Sequence, residues 1–372
     1  MTAPARRLPT RDRYLLPLVV LAVALTMVIG GELVARWWMP EQPNDACLMD
    51  DSFFGKLPRK NCTSRTKVAE GDWATYHYNE CGYRSETSCA PVPASTIRIS
   101  VIGASTSWGY RIPTPQTWWH RTSDALSKIC GKPVDVQNLG GVYNLNQVAR
   151  TVQPALQLKP DAVLMIVTPF DLQRLPPGDF DTAWQPEAAP AAPKRELLGK
   201  IKDSLEVSRF ATFAQHMLYR QPESYLNGFL GSGDRADFLR PPFKGEWQRR
   251  LTFADHALAH IAAQVHAQGV PLILAFVPHQ AQADILTLHK TYPGVDPYAL
   301  DRALGAIAAR HGIVYRDLTA SFGNQENAAS LYMNVDSHPT GAANSLIADG
   351  MVSGLLASSL RDGKCSAGAG KE

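Results

Sequence analysis

The sequence predicts an α/β fold in which a parallel sheet carries helices on both faces. Five short runs rich in β-branched and apolar residues are each bounded by Gly or Pro, as buried strands are. Helix-like stretches separate the runs, and this alternation is typical of a parallel sheet. The predicted strands are 97–103, 133–140, 161–169, 270–278 and 312–318. The predicted helices are 116–129, 143–157, 247–267, 297–310 and 341–356.

Length and charge limit the classes of function. The chain has 372 residues, 45% hydrophobic and 19% charged, which is ample for a large domain with its own core. The formal net charge of +3 comes from the first 31 residues, which hold four arginines and one aspartate. The remaining body is balanced and has no Lys/Arg run, so we expect no nucleic-acid partner.

An apolar segment near the N-terminus predicts one transmembrane helix. The 18 residues 14–31 carry no charge, and as a helix they span about 27 Å, close to the thickness of a bilayer's hydrocarbon core. Arginines precede this segment and Trp37 and Trp38 follow it, so we expect residues 1–13 in the cytoplasm and residue 40 onward exported. A cleaved signal peptide is the alternative interpretation.

Cysteine usage agrees with export. All six cysteines follow the apolar segment, and an even number outside the cytoplasm predicts disulfides. Short loops favour Cys47 with Cys62 and Cys81 with Cys89, which leaves Cys130 for Cys365, although six cysteines allow 15 pairings. Neither a CxxC motif nor a Cys/His ligand spacing is present, so we expect no metal site and no cofactor.

The domain organisation follows from these segments. We expect residues 32–92 to be a stalk and disulfide-bearing extension, residues 93–360 a catalytic domain, and residues 361–372 a tail. A Pro/Ala stretch followed by amphipathic segments predicts a helical insertion at about 175–246. The insertion either covers the site as a lid, with Tyr219, Tyr225 and Phe229, or simply packs beside it.

The residues that suggest chemistry lie after the first strand and before the last helix. Ser105 follows a turn of small residues, and ligands of open parallel sheets bind at the carboxyl ends of the strands. Asp336 and His338 are two residues apart on a loop; in an extended loop both side chains point the same way, so the carboxylate can orient the imidazole. Together these residues predict a Ser-His-Asp triad. An N-cap is the simpler role for Ser105.

Five segments resemble the SGNH, or GDSL-type, hydrolase superfamily over about residues 76–357, in particular its membrane-anchored bacterial branch, which is related to polysaccharide O-acetylation proteins. The matching segments are YNECGYRSE (78–86), RISVIGASTSWG (98–109), NLGG (138–141), KPD (159–161) and VDSHPTGAAN (335–344). The resemblance implies a flavodoxin-like three-layer α/β/α sandwich. It also implies that Ser105 is the nucleophile, His338 the base and Asp336 its orienting partner, in an extracytoplasmic domain held at the inner membrane.

The oxyanion-binding residues depart from the family pattern. The glycine block is one residue shorter than usual, and the usual G-x-N-D block is replaced by a sequence with Phe170 in place of the asparagine. Phenylalanine cannot donate a hydrogen bond, and loss of one oxyanion donor typically costs about 10²-fold in rate. The candidates for binding the oxyanion or the substrate are Gly140, Gly141, Asn144, Thr168 and Asp171.

Three functions fit these features. The first is a membrane-anchored, exported serine esterase acting on an ester or O-acyl group, with a cell-envelope or exported saccharide as its substrate. The second is an O-acyltransferase that modifies an exported polysaccharide and receives its acyl group from a membrane-embedded partner. The third is a non-catalytic assembly subunit with a degenerate oxyanion hole.

Overall fold

The computed structural model describes residues 9–176, 178–180, 208–358, 360 and 365. Residues 1–8 of the predicted cytoplasmic segment, residues 181–207 of the predicted insertion and nearly all of the tail at 361–372 lie outside this description.

The apolar N-terminal segment lies within helix α1 (Thr10–Trp38). In the part of the chain that is described, one helix, Arg11–Trp38, is long and apolar enough to cross a membrane, a criterion that a signal sequence near the N-terminus also meets. Nearly all side chains between residues 14 and 34 are exposed. An exposed apolar helix of this length requires a membrane or a protein partner to cover it.

The expected stalk is instead folded against the rest of the protein. It forms two antiparallel hairpins, made of β1 (Leu48–Asp51), β2 (Gly55–Pro58), β3 (Cys62–Thr66) and β4 (Ala74–Tyr78). In β4, inward and outward residues alternate, and Tyr76 and Tyr78 pack on Trp108 of the main domain. Arg84 then bridges Tyr78 and Asn138, which joins the second hairpin to the edge of the main sheet.

All five predicted strands of the main sheet are confirmed. They are β5 (Ile97–Gly103), β6 (Val134–Asn138), β7 (Ala162–Val167), β8 (Leu272–Phe276) and β9 (Val314–Asp317). Every pairing is parallel and the order is β6-β5-β7-β8-β9, the 2-1-3-4-5 arrangement of flavodoxin-like sheets.

Twelve further α-helices follow α1 in the described residues, and the longer ones pack on the two faces of the main sheet. They are α2 (Ser105–Trp108), α3 (Trp118–Cys130), α4 (Leu145–Arg150), α5 (Val152–Gln157), α6 (Pro169–Gln173), α7 (Arg209–Tyr219), α8 (Pro222–Leu230), α9 (Gly245–His266), α10 (Gln280–Thr287), α11 (Ala299–Arg310), α12 (Thr319–Gly323) and α13 (Gly341–Leu356). Successive strand residues point to opposite faces, so β8 sends Leu274 to one core and Ile273 to the other. Helices α4, α5, α9 and α11 cover the first face and α3 and α13 the second, so the expected three-layer α/β/α sandwich is confirmed.

One predicted helix is divided. The segment 143–157 forms α4 and α5, which meet at Thr151. Pro154 lies one turn beyond the break; its ring nitrogen cannot donate to the carbonyl of Arg150, so a continuous helix is disfavoured there.

The three predicted disulfides are all present in the structure. Cys47 pairs with Cys62 and Cys81 with Cys89, so both short loops lie within the extension. Cys130 at the end of α3 pairs with Cys365, across a separation of 235 residues. The last bond ties the C-terminal region to the layer of α3 and α13.

Candidate active site

Ser105 stands at the carboxyl end of β5, where it is the first residue of α2. The turn before it depends on Gly103, whose φ of +135° is unfavourable for residues with a side chain. A Cβ on Gly103 would lie 2.0 Å from Ser107 Oγ, and this oxygen accepts a hydrogen bond from Ile166 N of β7. The neighbouring strand therefore fixes the turn that presents Ser105.

His338 brings the two ends of the domain together. Its Nε2 lies 2.8 Å from Ser105 Oγ, although the residues are 233 positions apart. Its Nδ1 forms a short hydrogen bond with Asp336 Oδ1. With the proton on Nδ1, the ring donates to the carboxylate and Nε2 can accept the serine proton, which is the geometry of a Ser-His-Asp triad.

The loop that carries Asp336 and His338 is a tight turn and not the extended segment that we expected. Ser337 between them has a φ of +66°, in the left-handed region. The turn is closed where Met333 N donates to His338 O at 2.9 Å and Ser337 N donates to Met333 O. The two side chains therefore meet by turning toward each other, not by sharing one side of a strand.

Nearby groups favour an ionised Asp336 and a fixed imidazole ring. Burial raises the pKa of Asp336, but the charge and hydrogen bond of His338 and the charges of Arg111 and Arg174 outweigh it, so the pKa lies below its usual value. The ring of Tyr110 packs on His338 with centroids 4.4 Å apart. Burial and the charge of Asp336 raise the pKa of Tyr110 to about 12, so its phenol stays neutral beside the triad.

The pocket over the triad is small, with a volume of about 40 Å³. The triad forms part of its wall, and the remaining wall comes from segments that follow the strands. The other lining residues include Val142, Tyr143, Thr168, Phe170, Asp171, Arg174 and His279.

The two glycine amides suggested by the sequence are already engaged. Gly140 N donates to Asn138 Oδ1 at 2.9 Å, and Gly141 N donates to Gly103 O at 3.2 Å. Asn144 does not line the pocket; it caps α4 in a reciprocal pair of 2.9 Å hydrogen bonds with Gln147. These three candidates therefore support the backbone around the site and do not face it as oxyanion donors.

Other amides are free to bind an oxyanion. Ser105, Val142 and Tyr143 line the pocket, and their backbone N–H groups donate to no protein acceptor within the described ranges. The loop after the glycine block therefore leaves the amides of Val142 and Tyr143 without a protein acceptor at the wall of the pocket. A serine amide together with a loop amide is a common oxyanion-binding pair.

The segment that replaces G-x-N-D lines the pocket as well. Thr168 donates to Asp171 Oδ2 through its amide at 2.7 Å and its hydroxyl at 2.9 Å, which begins α6 with a capping box. Burial raises the pKa of Asp171 above its usual value despite these bonds. Phe170 packs on His279 with ring centroids 5.0 Å apart and offers the pocket an apolar surface. Thr168 and Asp171 therefore shape the wall, and Phe170 supplies no donor.

Glu70 supports the site although no motif in the sequence marks it. Its side chain is only 2% exposed, and Oε1 accepts from Val335 N at 2.9 Å and Asp336 N at 2.8 Å. Its Oε2 contacts His216 Nδ1 of α7 at 2.7 Å. The extension therefore holds the backbone of the loop that carries the triad's carboxylate.

Arg84, in the segment at 78–86, supports the nucleophile turn from the other side. Its buried guanidinium donates to the carbonyls of Trp108, Gly109 and Ile112 at 2.6–2.9 Å. Asn138 completes the support by donating to Ser107 O at 3.1 Å. These contacts link the extension, the edge strand β6 and the turn after Ser105.

The described part of the insertion lies beside the pocket and does not cover it. None of residues 208–246 lines the cavity. Tyr225 and Phe229 stack on the ring of His279, with centroids 6.2 and 4.3 Å away. Tyr219 packs on Tyr225 at 5.4 Å. These aromatic residues therefore pack beneath the wall of the site and do not form a lid in this part of the insertion.

Comparison with known proteins gives matches among solved structures. A lipase/acylhydrolase from Enterococcus faecalis is 12% identical, with a TM-score of 0.39 and coverage of 70% of this chain and 95% of its own. An acetyl xylan esterase from Geobacillus stearothermophilus is 12% identical, with a TM-score of 0.38 and coverage of 70% and 94%. A member of the lipolytic protein G-D-S-L family from Veillonella parvula is 12% identical, with a TM-score of 0.37 and coverage of 69% and 97%.

No family model and no curated protein matches the chain. The three solved structures carry the names of a lipase/acylhydrolase, an acetyl xylan esterase and a lipolytic protein. The three-layer fold itself is evident from this chain's own strand order.

Proposed function

We propose that the protein is a serine esterase of the SGNH type, in which Ser105 is the nucleophile, His338 the general base and Asp336 its orienting partner. The observation that carries the proposal is the 2.8 Å approach of His338 Nε2 to Ser105 Oγ, with Nδ1 held by Asp336 and a pocket above them. A serine that served only as a helix cap would not need this arrangement.

The proposed reaction has two steps. Ser105 Oγ attacks the ester carbonyl while His338 Nε2 takes its proton, and the resulting oxyanion lies toward the free amides of Ser105 and of Val142 or Tyr143. The ester C–O bond then breaks, and His338 returns the proton to the departing alcohol. Water repeats the sequence on the acyl-serine and releases the acid. Asp336, whose pKa is lowered, stabilises the transient imidazolium.

The pocket volume supports a short acyl group. With only about 40 Å³ of space over Ser105 and His338, a short acyl group such as acetyl fits the pocket better than a long chain. The resemblance of the Asp-x-His block to alginate O-acetylation proteins supports an acetylated saccharide as substrate.

The proposed location is the outer face of a bacterial inner membrane. Helix α1 supports anchoring because it is apolar over a membrane-spanning length, and the three disulfides support an oxidising compartment outside the cytoplasm. The four arginines that precede the apolar residues 14–31 support the orientation with the catalytic domain outside.

The test is ester hydrolysis by the full chain in detergent micelles, with 4-nitrophenyl acetate, butyrate and hexanoate compared at equal concentration. We expect turnover that is fastest with acetate and absent in Ser105→Ala. Equal turnover by the Ser105→Ala variant contradicts the assignment of the nucleophile. Preference for hexanoate contradicts the assignment of the acyl group. Adding an oligosaccharide acceptor separates hydrolysis from acyl transfer, because transfer yields an acetylated saccharide in place of acetate.

A further inference from the structure

Helix α7 exposes its apolar side and turns its more polar side inward. Phe210, Phe213, Met217 and Leu218, which we call the apolar stripe, are between 38% and 52% exposed. Their spacing places them on one side of the helix. On the other side, His216 contacts Glu70 of the extension. Single exposed apolar residues are ordinary on protein surfaces, but a contiguous stripe indicates a surface that something else covers.

The N-terminal end of α7 is hydrogen-bonded to α1 at Glu32, directly after the apolar segment of α1 ends. Glu32 accepts hydrogen bonds from Ser208 Oγ at 2.8 Å, Arg209 N at 3.1 Å and Phe210 N at 3.0 Å. A Cβ on Gly31 would lie 2.9 Å from the ring of Phe210, so this ring packs directly on the helix backbone. The start of α7 is therefore held at the end of the segment predicted to cross the membrane.

The surface beside this junction is continuous between the two helices. A groove of about 320 Å³ between α1 and α7 is lined only by apolar residues, including Phe210 and Phe213. Trp37 and Trp38, 78% and 70% exposed, lie at the same end of α1. Tryptophan favours the membrane–water boundary, so this end of α1 corresponds to the level of the lipid headgroups.

We propose that the apolar stripe of α7 lies in the outer leaflet of the bilayer, at the boundary between lipid headgroups and acyl chains. This is the leaflet from which α1 emerges on the exported side. This inference rests on the proposed membrane span of α1. A bilayer is favoured as the occupant because the stripe is continuous with the exposed surface of α1, which faces lipid in a membrane span. On its opposite side, α7 contacts Glu70 through His216, and Glu70 accepts the amide of Asp336, so α7 packs against the residue that holds the triad loop.

Site-specific photocrosslinking of the full chain tests the proposal. The photoreactive residue p-benzoylphenylalanine replaces one residue at a time in protein reconstituted into phosphatidylethanolamine/phosphatidylglycerol vesicles, and lipid adducts are measured by mass spectrometry. Phe213 probes the stripe, with Met217 as a second position. Leu21 probes the span. Ile129 of α3, an apolar residue 42% exposed, is the matched control outside both helices.

We expect about tenfold more lipid adduct at Phe213 and Met217 than at Ile129, because an interfacial helix places its apolar side below the headgroups. Adducts at Leu21 but not at the two stripe positions overturn the proposal and leave the span intact. Absence of adducts at Leu21 as well overturns the span, and the stripe proposal with it. Crosslinks from Phe213 to a protein in native membranes, in place of lipid, also overturn the proposal. Unchanged resistance to limited proteolysis verifies that each substituted protein is folded.

Discussion

Removal of the Glu70 carboxylate should weaken catalysis without touching the triad. In Glu70→Ala, the amides of Val335 and Asp336 lose their shared acceptor, Oε1. A hydrogen bond to a charged group contributes about 1.5–3 kcal/mol, so the two bonds together contribute about 3–6 kcal/mol to the loop. If relaxation of the loop and entry of water recover half of this free energy, about 1.5–3 kcal/mol is lost from the aligned state of the triad. Because about 1.4 kcal/mol corresponds to a factor of ten in rate, we expect kcat/KM to fall about 10- to 10²-fold.

Two matched variants separate this positioning role from general destabilisation. Glu70→Gln keeps an oxygen at the position of Oε1 that can accept hydrogen bonds from both backbone amides, Val335 N and Asp336 N, so we expect this variant to retain most of the activity. His216→Ala removes only the contact to Oε2 and should also retain most of it. The measurements are kcat and KM for 4-nitrophenyl acetate, with thermal unfolding recorded for each variant. A folded Glu70→Ala protein with wild-type kcat/KM would show that these two hydrogen bonds do not position the triad loop, as would equal losses in the Ala and Gln variants.

Three further predictions concern the triad, the oxyanion site and a buried carboxyl group. Ser105→Ala, His338→Ala and the double variant should fall to a similar residual rate, because both groups act in one step; a double variant far slower than either single one would contradict this. Phe170→Asn should raise esterase kcat about tenfold, equivalent to about 1.4 kcal/mol, by adding a donor to the pocket, whereas Phe170→Leu should not; equal rates in the two variants would contradict the placement of the oxyanion. Burial raises the pKa of Asp284 to about 7. The folded protein therefore holds a proton that the unfolded chain releases from about pH 4 upward, so this group lowers stability as pH rises toward 7, by up to about 4 kcal/mol. Asp284→Asn should remove that loss of stability. The Tm of the variant minus the Tm of the wild type should therefore increase from pH 5 to pH 8. A difference in Tm that stays constant over this range would contradict a protonated Asp284 in the folded protein.

The sequence predicts the sheet well because its strands are buried on both faces. Runs such as Ala162–Val167 have no exposed position and therefore appear as continuous apolar segments bounded by turn residues. The break between α4 and α5 was missed although Pro154 marks it. The hairpins of the extension were not predicted because their strands have only four or five residues, too few for a clear alternating pattern. A disulfide and packing on Trp108 stabilise these hairpins, and neither contact is visible as a local pattern in the sequence.

The site was only partly predictable. Ser105, Asp336 and His338 could be proposed from the sequence because the motifs that carry them are local, and the structure brings His338 within hydrogen-bond distance of the other two. Gly140 and Gly141 could not be assigned correctly, since whether an amide is free depends on Asn138 and Gly103. Glu70 acts on amides 265 and 266 residues away, and no local pattern marks such a contact. The acceptors and donors that complete this site are set by tertiary packing.

A fluorophosphonate probe followed by peptide mapping shows whether His338 activates Ser105 as a nucleophile. Such probes form a covalent bond with an activated serine and do not require the natural substrate to be known. The full chain should carry one adduct, on Ser105, with labelling abolished in Ser105→Ala and strongly slowed in His338→Ala. An adduct on a different serine would contradict the assignment of Ser105, and absence of labelling in a folded protein would favour a binding or assembly role for the pocket.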